Sequence, residues 1–406
     1  MEMIKKGIRT FQLLYLLLLL WLLRFLTLLL RLILRLATSR RRKPVKNPRS
    51  LLYLAAFFPV NAGYRYRVEK WAEIWRANGM QVTIKSVFEK EEFERLLGGN
   101  KIGLYIRPLW KRTLQILSAW RYDRVIVRRE LLLFNDYGNL FLEKLLLTMH
   151  PDAILDIDDD LSASKKEPRN ISRYGRLLAE HPAKFSASLS YYPYFIVGSS
   201  YLKEKVLSLN PTADIAVVPT CVDYNKYAPK EYMFQKKKVT FGWIGGSYNL
   251  PLIEALLPVL EELSKEYPLN LMIISGKAPA IQPDIELIFR PWSLETQIED
   301  LKSVDIGLMP LPDNEISRGK CGFKLIQYMG LGIVSMASAI GANKEIVDHG
   351  ENAFLVEGDD WAAQLRHVLE MRQKWQAIGR KARQKVKKVY SFEANTSSYL
   401  HLLRHE

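Results

Sequence analysis

Cysteine is nearly missing: Cys221 and Cys321 are the only two in 406 residues. Two cysteines without metal-ligand spacing exclude a disulfide framework and a zinc site, and fit a reducing compartment. The six histidines form no metal-ligand pattern either, and His150 and His181 read as structural. No GxGxxG turn follows a strand-like segment with an acid about 20 residues on, which argues against a nicotinamide-dependent oxidoreductase. Acid is almost absent from the first fifty residues, where Glu2 stands against twelve Lys and Arg. That stretch carries +11 of the net +16 and leaves +5 for the other 356 residues. The basic excess is therefore local, which removes the broad positive field of a nucleic-acid binder. With 48% hydrophobic and 25% charged residues, the chain is neither disordered nor collagen-like, and its length allows two domains.

What the first fifty residues do have is leucine, sixteen of them between Phe11 and Leu36. The longest uncharged run there, Thr10 to Leu23, is fourteen residues, short of the ~20 that a span requires. At ~100° per residue, Lys6, Arg24, Arg31 and Arg35 fall on one line, with Arg9 and Thr27 beside it. A cationic stripe on a leucine helix is the pattern of a helix lying in the membrane interface, its arginines on lipid phosphates and its leucines in the acyl boundary. A span with Arg24 snorkelling to one surface is the alternative. A cleaved signal peptide fits poorly, because arginines interrupt the apolar run. In a span the cluster Arg40 to Arg49 would hold the body at the cytoplasmic side, and either membrane reading leaves the body in the cytoplasm. Residues 1–50 are thus expected to be a membrane-anchoring amphipathic helix with a basic linker.

Beyond this, short apolar runs alternate with helical patterns. Leu51 to Phe58, Met80 to Val87, Arg124 to Arg128, Ala153 to Ile157, Tyr194 to Gly198 and Ile215 to Val218 read as strands. A second series follows the polar stretch Lys230 to Lys238: Val239 to Ile244, Leu271 to Ser275, Ile285 to Phe289, Val304 to Leu308, Ile333 to Ala337 and Ala353 to Val356. Such alternation predicts two α/β, doubly wound halves with parallel sheets. Ligands in these sheets bind beyond the carboxyl ends of the strands.

The densest chemistry lies in DIGLMPLPDNEISRGKCGFKLIQYMGLG (Asp305 to Gly332). A strand runs into a proline-rich loop, and Arg318, Lys320 and Lys324 then surround Gly319 and Gly322 just where a helix begins. Glycines admit close backbone approach, a helix N-terminus favours an anion, and the cations add direct charge. The arrangement suits a diphosphate.

This segment resembles the donor-binding region of glycosyltransferase family 4. The similarity continues in order through FGWIGGSYNL (Phe241 to Leu250), IFRPWSLETQIEDLKSVDIGLMPL (Ile288 to Leu311) and GIVSMASAIGANKEIVDHGENAFLV (Gly332 to Val356). Upstream it includes VVPTCVD (Val217 to Asp223), NAGYRYRVEKWAEIWRANG (Asn61 to Gly79) and DIDDDL (Asp156 to Leu161), the last two as in the acceptor half of a bacterial membrane-associated branch. The resemblance covers most of residues 51–395. It implies a GT-B fold, two facing Rossmann-like domains with a cleft between them, and sugar transfer with retention from a nucleotide sugar, without a metal or other cofactor. Residues 51–228 would be the acceptor domain and 229–385 the donor domain, with the helix in 386–406 packing back on the first.

By position, the resemblance makes Arg318 and Lys324 the catalytic cations on the donor diphosphate, with Lys320 assisting. Gln327 would bond the ribose; Ser275, Gly276, Arg290 and Trp292 would enclose the base; Gly245 and Gly246 would approach phosphates or sugar. Three positions depart from the family pattern. Gly319 and Gln327 replace a pair of glutamates, Ser247-Tyr248-Asn249 replaces the usual cations after the first donor strand, and Cys221 replaces a glycine. In the acceptor half, Asp158 and Asp159 within Asp156 to Asp160 are expected at a strand's carboxyl end, for acceptor binding or acid/base work; helix capping and a Mg²⁺ site are the alternatives. Gly63, Arg65 and Arg67 are expected in the loop after the first strand, where an acceptor phosphate would be met. The expected partners are a nucleotide-sugar donor, a lipid-linked or glycan acceptor and anionic lipid, with no nucleic acid. A catalytically silent GT-B scaffold in envelope polysaccharide assembly is the alternative function.

Overall fold

The computed structural model describes residues 2–37, 45, 47–56, 62–89, 91–92, 103–132, 140–162, 182–232 and 237–404. Most of the basic cluster Arg40 to Arg49 lies outside them, as do Asn61 and His181. The chain divides into two compact units, Met1–Val218 with Ser397–Glu406, and Pro219–Thr396.

The first unit holds a sheet of six parallel strands: β1 (Ser50–Ala55), β2 (Gln81–Ser86), β3 (Arg124–Arg128), β4 (Ile154–Ile157), β5 (Tyr194–Val197) and β6 (Asp214–Val217), in the order β2-β1-β3-β4-β5-β6. Its inner strands are apolar and buried on both faces, as parallel sheets covered by helices require. The Trp-rich pattern after β1 forms the helix Lys70–Ala77, ended by Asn78 and by Gly79 at φ +86°. Its Trp71 and Trp75 pack at a tilt against Tyr399, with ring centroids 4.5 and 5.1 Å away. Tyr399 also shares a 2.8 Å hydrogen bond with the Tyr53 hydroxyl of β1. The last turns of the closing helix Phe392–Arg404 therefore complete this unit's core.

The N-terminal helix Glu2–Ala37 packs against the helix Phe141–Met149. Leu16, Leu19, Leu20, Leu23 and Thr27 are buried, a stripe at helical spacing. Phe11, Leu14, Leu18, Trp21, Phe25, Leu28 and Leu32 form a second stripe on the opposite side and are exposed. The helix thus has two apolar faces, one taken up by the protein itself, and the positions of Arg24, Arg31 and Arg35 fall between them on the wheel. Among the described residues, no helix is long and apolar enough to cross a membrane.

The second unit repeats the design with β7 (Val239–Gly245), β8 (Leu269–Ser275), β9 (Glu286–Pro291), β10 (Ile306–Met309), β11 (Val334–Ser338) and β12 (Phe354–Val356), all parallel in the order β12-β11-β10-β7-β8-β9. Alternate residues feed two cores: Phe241, Trp243, Leu271 and Ile273 on one face, Ile244, Met272 and Ile274 on the other. After β7 the chain forms two short helices, Leu250–Glu254 and Leu257–Ser264, rather than one continuous helix. Pro258 explains the break, since it lacks the N–H that a continuous helix would need.

Candidate functional site

Of the donor-side residues of the sequence reading, Gly245, Gly246, Ser275, Gly276, Arg290, Trp292 and Lys324 lie at the carboxyl ends of β7, β8 and β9. Gly245 closes β7, and a Cβ there would come within 3.0 Å of the Lys324 Cε and 2.6 Å of the Trp243 ring. Lys324 therefore crosses the end of the strand, with its ammonium 5.0 Å from the centroid of Trp243. A cation held over an indole face keeps its charge while losing part of its hydration. Ser247, in the turn after Gly246, reaches the end of β8: its Oγ is 3.5 Å from the Ser275 Oγ, and 3.3 Å from where a Cβ on Gly276 would stand. On β9, Pro291 pairs in register with Ser275, and the Trp292 N–H donates to the Ser275 carbonyl at 3.0 Å. Arg290 is exposed and Trp292 half-buried beside them.

Lys324 is the second residue of the helix Phe323–Gly330, which follows Gly322 at φ +64°. A side chain at Gly322 would meet Ile346 at 2.2 Å as well as the left-handed backbone, so only glycine starts the helix here. Gln327 lies one turn on. It is buried, and its Nε2 donates to the Tyr227 hydroxyl at 3.4 Å.

Arg318 ends the short helix Glu315–Arg318, which the Asn314 side chain caps by accepting from the Ser317 N–H at 2.9 Å. Its guanidinium forms a two-pronged pair with Asp313, Nε to Oδ1 at 2.6 Å and Nη2 to Oδ2 at 3.0 Å. The hydrogen bonds from Arg318 hold the exposed Asp313 carboxyl below its ordinary pKa. Beneath it, Gly341 at φ +48° packs so tightly that a Cβ would stand 2.3 Å from the Arg318 carbonyl oxygen. Sequence reasoning missed Asp313, although the spacing of an acid five residues before Arg318 was a readable signal.

In the first unit Arg67, Asp158 and Asp159 of the expected acceptor residues belong to a largely buried ion network. Gly63 lies in the turn Ala62–Tyr64, and Arg65 and Arg67 lie in a π-helical turn, Arg65–Glu69, rather than an open loop. Arg67 is 1% exposed and pairs with Asp156, itself 1% exposed. It also donates to the Val218 carbonyl at 2.5 Å. Arg128 pairs with Asp158 and approaches Asp156 at 3.5 Å; Arg129 reaches Asp158 at 2.8 Å and also Asp159. Burial alone would raise the Asp158 pKa, but the facing Arg128 and Arg129 pull it far below the carboxylate range. Burial would likewise lower that of Arg67, and Asp156 reverses the sign. Arg129 has φ +64°, a strained setting for a non-glycine residue. Arginines thus answer the charge of Asp156, Asp158 and Asp159, and among the described residues no group of three or more His, Cys, Asp or Glu is arranged to hold a metal ion. Arg128 and Arg129 were the residues overlooked, yet paired arginines ending one strand beside DIDDD ending the next were a legible sign.

Residues 238–372 match the family model described as Glycosyl transferases group 1. No curated protein sequence matches the chain. Among solved structures it is similar to sucrose-phosphate synthase from Thermosynechococcus elongatus, with TM-score 0.64 at 12% identity over 88% of this chain and 98% of that one. Anabaena HepE in complex with UDP-glucose gives TM-score 0.58 at 11% identity over 88% and 99%. The lipopolysaccharide outer core galactosyltransferase WaaB gives 0.61 at 14% over 87% and 99%. At such identities the likeness is one of fold, and it extends over both units. The second unit thus carries the match to group 1 glycosyl transferases, and the two parallel six-stranded α/β sheets are consistent with a GT-B fold.

Proposed function

We propose that the chain transfers a sugar, with retention, from a nucleoside-diphosphate sugar to a lipid-linked or polysaccharide acceptor at the cytoplasmic face of a membrane. The observation that carries the donor assignment is the position of Lys324, at the start of a helix and across the end of β7 beside Gly245. A diphosphate laid there meets the helix N–H groups and the Lys324 and Lys320 ammonium groups. Arg318 adds a planar, two-pronged contact once the diphosphate takes the place of Asp313. As the bond between the sugar and the diphosphate breaks, negative charge grows on the leaving oxygens, and cations fixed at that point stabilise the transition state more than the bound donor. Ser275, Gly276, Arg290 and Trp292, one and two strands over, supply the base end of the same site. HepE was solved with UDP-glucose, which supports a nucleotide sugar as donor.

For the acceptor, the ion network of the first unit offers Asp159 and Arg129 at its more open end. The exposed stripe Phe11 to Leu32 on the N-terminal helix supports attachment to a bilayer, and the net +11 of the first fifty residues favours anionic lipid. Because the helix also has a face packed on the first unit, attachment would hold that unit at the lipid surface.

Lys324→Ala and Arg318→Ala test the donor site. Each is expected to lower turnover of a nucleotide-sugar panel, followed by mass spectrometry, by about 10²–10³ while leaving the melting curve in place. Unchanged turnover in both would remove the assignment.

A further inference from the structure

The helix Gly103–Leu117 and the turn Ala119–Arg121 of the first unit present a second apolar surface, which the donor and acceptor chemistry does not use. Trp110, Leu114 and Leu117 follow one another at spacings of four and three, so they form a single ridge along the helix. Trp120 extends that ridge past the last turn. All four are exposed, Leu114 at 63% and Trp120 at 59%. The other side of the same helix, Leu109, Arg112, Thr113 and Ile116, is buried, so the ridge is its outward face.

Exposed apolar residues scattered singly need no explanation, but four in one ridge, two of them tryptophan, mark an interaction surface. Tryptophan is enriched where one end of a ring is apolar and the other wet, as at a lipid headgroup boundary. The ridge has cations at its sides and ends. Arg121 lies with its guanidinium 5.5 Å from the Trp120 ring centroid; Arg107, ion-paired with Glu92, and Lys111, ion-paired with Glu89, lie toward the other end. The decisive observation is location: this helix and the N-terminal helix both pack against Phe141–Met149. Two outward apolar faces therefore flank one helix.

We propose that the Trp110–Leu114–Leu117–Trp120 ridge is a second membrane contact, seated on an anionic bilayer surface together with the N-terminal helix. This rests on the membrane reading given above. Two contacts on one rigid unit set its tilt on the lipid, which a single helix lying in the interface does not. They also multiply affinity, since engagement of the second is intramolecular once the first is bound.

The test uses the full chain labelled with an environment-sensitive fluorophore at one introduced cysteine; native Cys221 and Cys321 are buried. The positions are Leu114→Cys on the ridge, Leu18→Cys on the N-terminal helix and Glu73→Cys as a reference. With vesicles of phosphatidylcholine and phosphatidylglycerol, labels at 114 and 18 are expected to shift to the blue and the label at 73 to stay unchanged. In the unlabelled chain, Trp110→Ser with Leu114→Ser and Trp120→Ser is expected to weaken vesicle partitioning at least about tenfold. A response at 18 without one at 114 overturns the ridge proposal and leaves membrane attachment standing. No response at either overturns both. A label at 114 that ignores vesicles but responds to concentrated unlabelled chain assigns the ridge to self-association and likewise overturns the proposal.

Discussion

Replacing Asp156 by Ala is the sharpest test of how the first unit is held together. Its carboxylate is 1% exposed and answers Arg67, also 1% exposed, with Arg128 3.5 Å away. Removing it leaves two guanidinium groups in a dry interior. Arg67 then keeps the Val218 carbonyl, and Arg128 keeps Asp158 and its hydrogen bond to the residue-156 carbonyl at 3.2 Å. Breaking one side of a buried pair costs about 3–5 kcal/mol, because the remaining charge loses its partner without regaining water. Against a typical domain stability of about 5–15 kcal/mol, that is a large fraction. At about 2–4 °C per kcal/mol for a unit of this size, the melting temperature should fall by about 6–20 °C. Near-ultraviolet circular dichroism includes a signal from this unit, since Trp71, Trp75 and Tyr399 pack together in its core. Arg67→Met combined with Asp156→Leu should recover most of the loss, because a packed apolar pair removes both charges together. A fall of less than about 1 kcal/mol for Asp156→Ala, or a double variant as unstable as the single one, would refute the reasoning.

Asp313→Asn should leave turnover unchanged and tighten donor binding by up to about fivefold, because it relieves a solvent-exposed ion pair worth about 1 kcal/mol at most; titration calorimetry with a nucleoside diphosphate checks it. Gly341→Ala should cost about 2–4 kcal/mol, from the left-handed backbone and the 2.3 Å approach to the Arg318 carbonyl. It should also raise the donor KM by displacing Arg318, which thermal melts and kinetics read separately. Asp158 has its pKa depressed in the folded chain by Arg128 and Arg129. Its stabilising contribution is therefore present above the ordinary carboxylate range and is lost as pH falls below it, so acid titration of Asp158→Asn should show a shallower decline than the parent.

How much of this was readable in advance differs by element. β3 at Arg124–Arg128 and the helix Phe323–Gly330 lie where their apolar spacing puts them, because both are short, strongly patterned and bounded by clear stops. The basic, glycine-containing loop was legible because Arg318, Lys320 and Lys324 stand in one short stretch with Gly319 and Gly322. Gln327 was readable as a position but not as a buried side chain facing Tyr227, a hundred residues earlier in the chain. Arg67 looked like a loop charge, since nothing local shows that it turns inward to a carboxylate 89 residues away.

The N-terminal helix draws the same line most clearly. Leucine count and arginine spacing by themselves determined that the segment is helical and amphipathic, because a period of 3.6 is a local property of the chain. Whether a given leucine faces protein or solvent was decided only by packing. Leu16, Leu19, Leu20 and Leu23 are buried on a helix that packs against one more than a hundred residues away, while Leu18, chemically no different, is exposed. Hydrophobic burial is non-directional, and which apolar surfaces meet is set by the course of the whole chain.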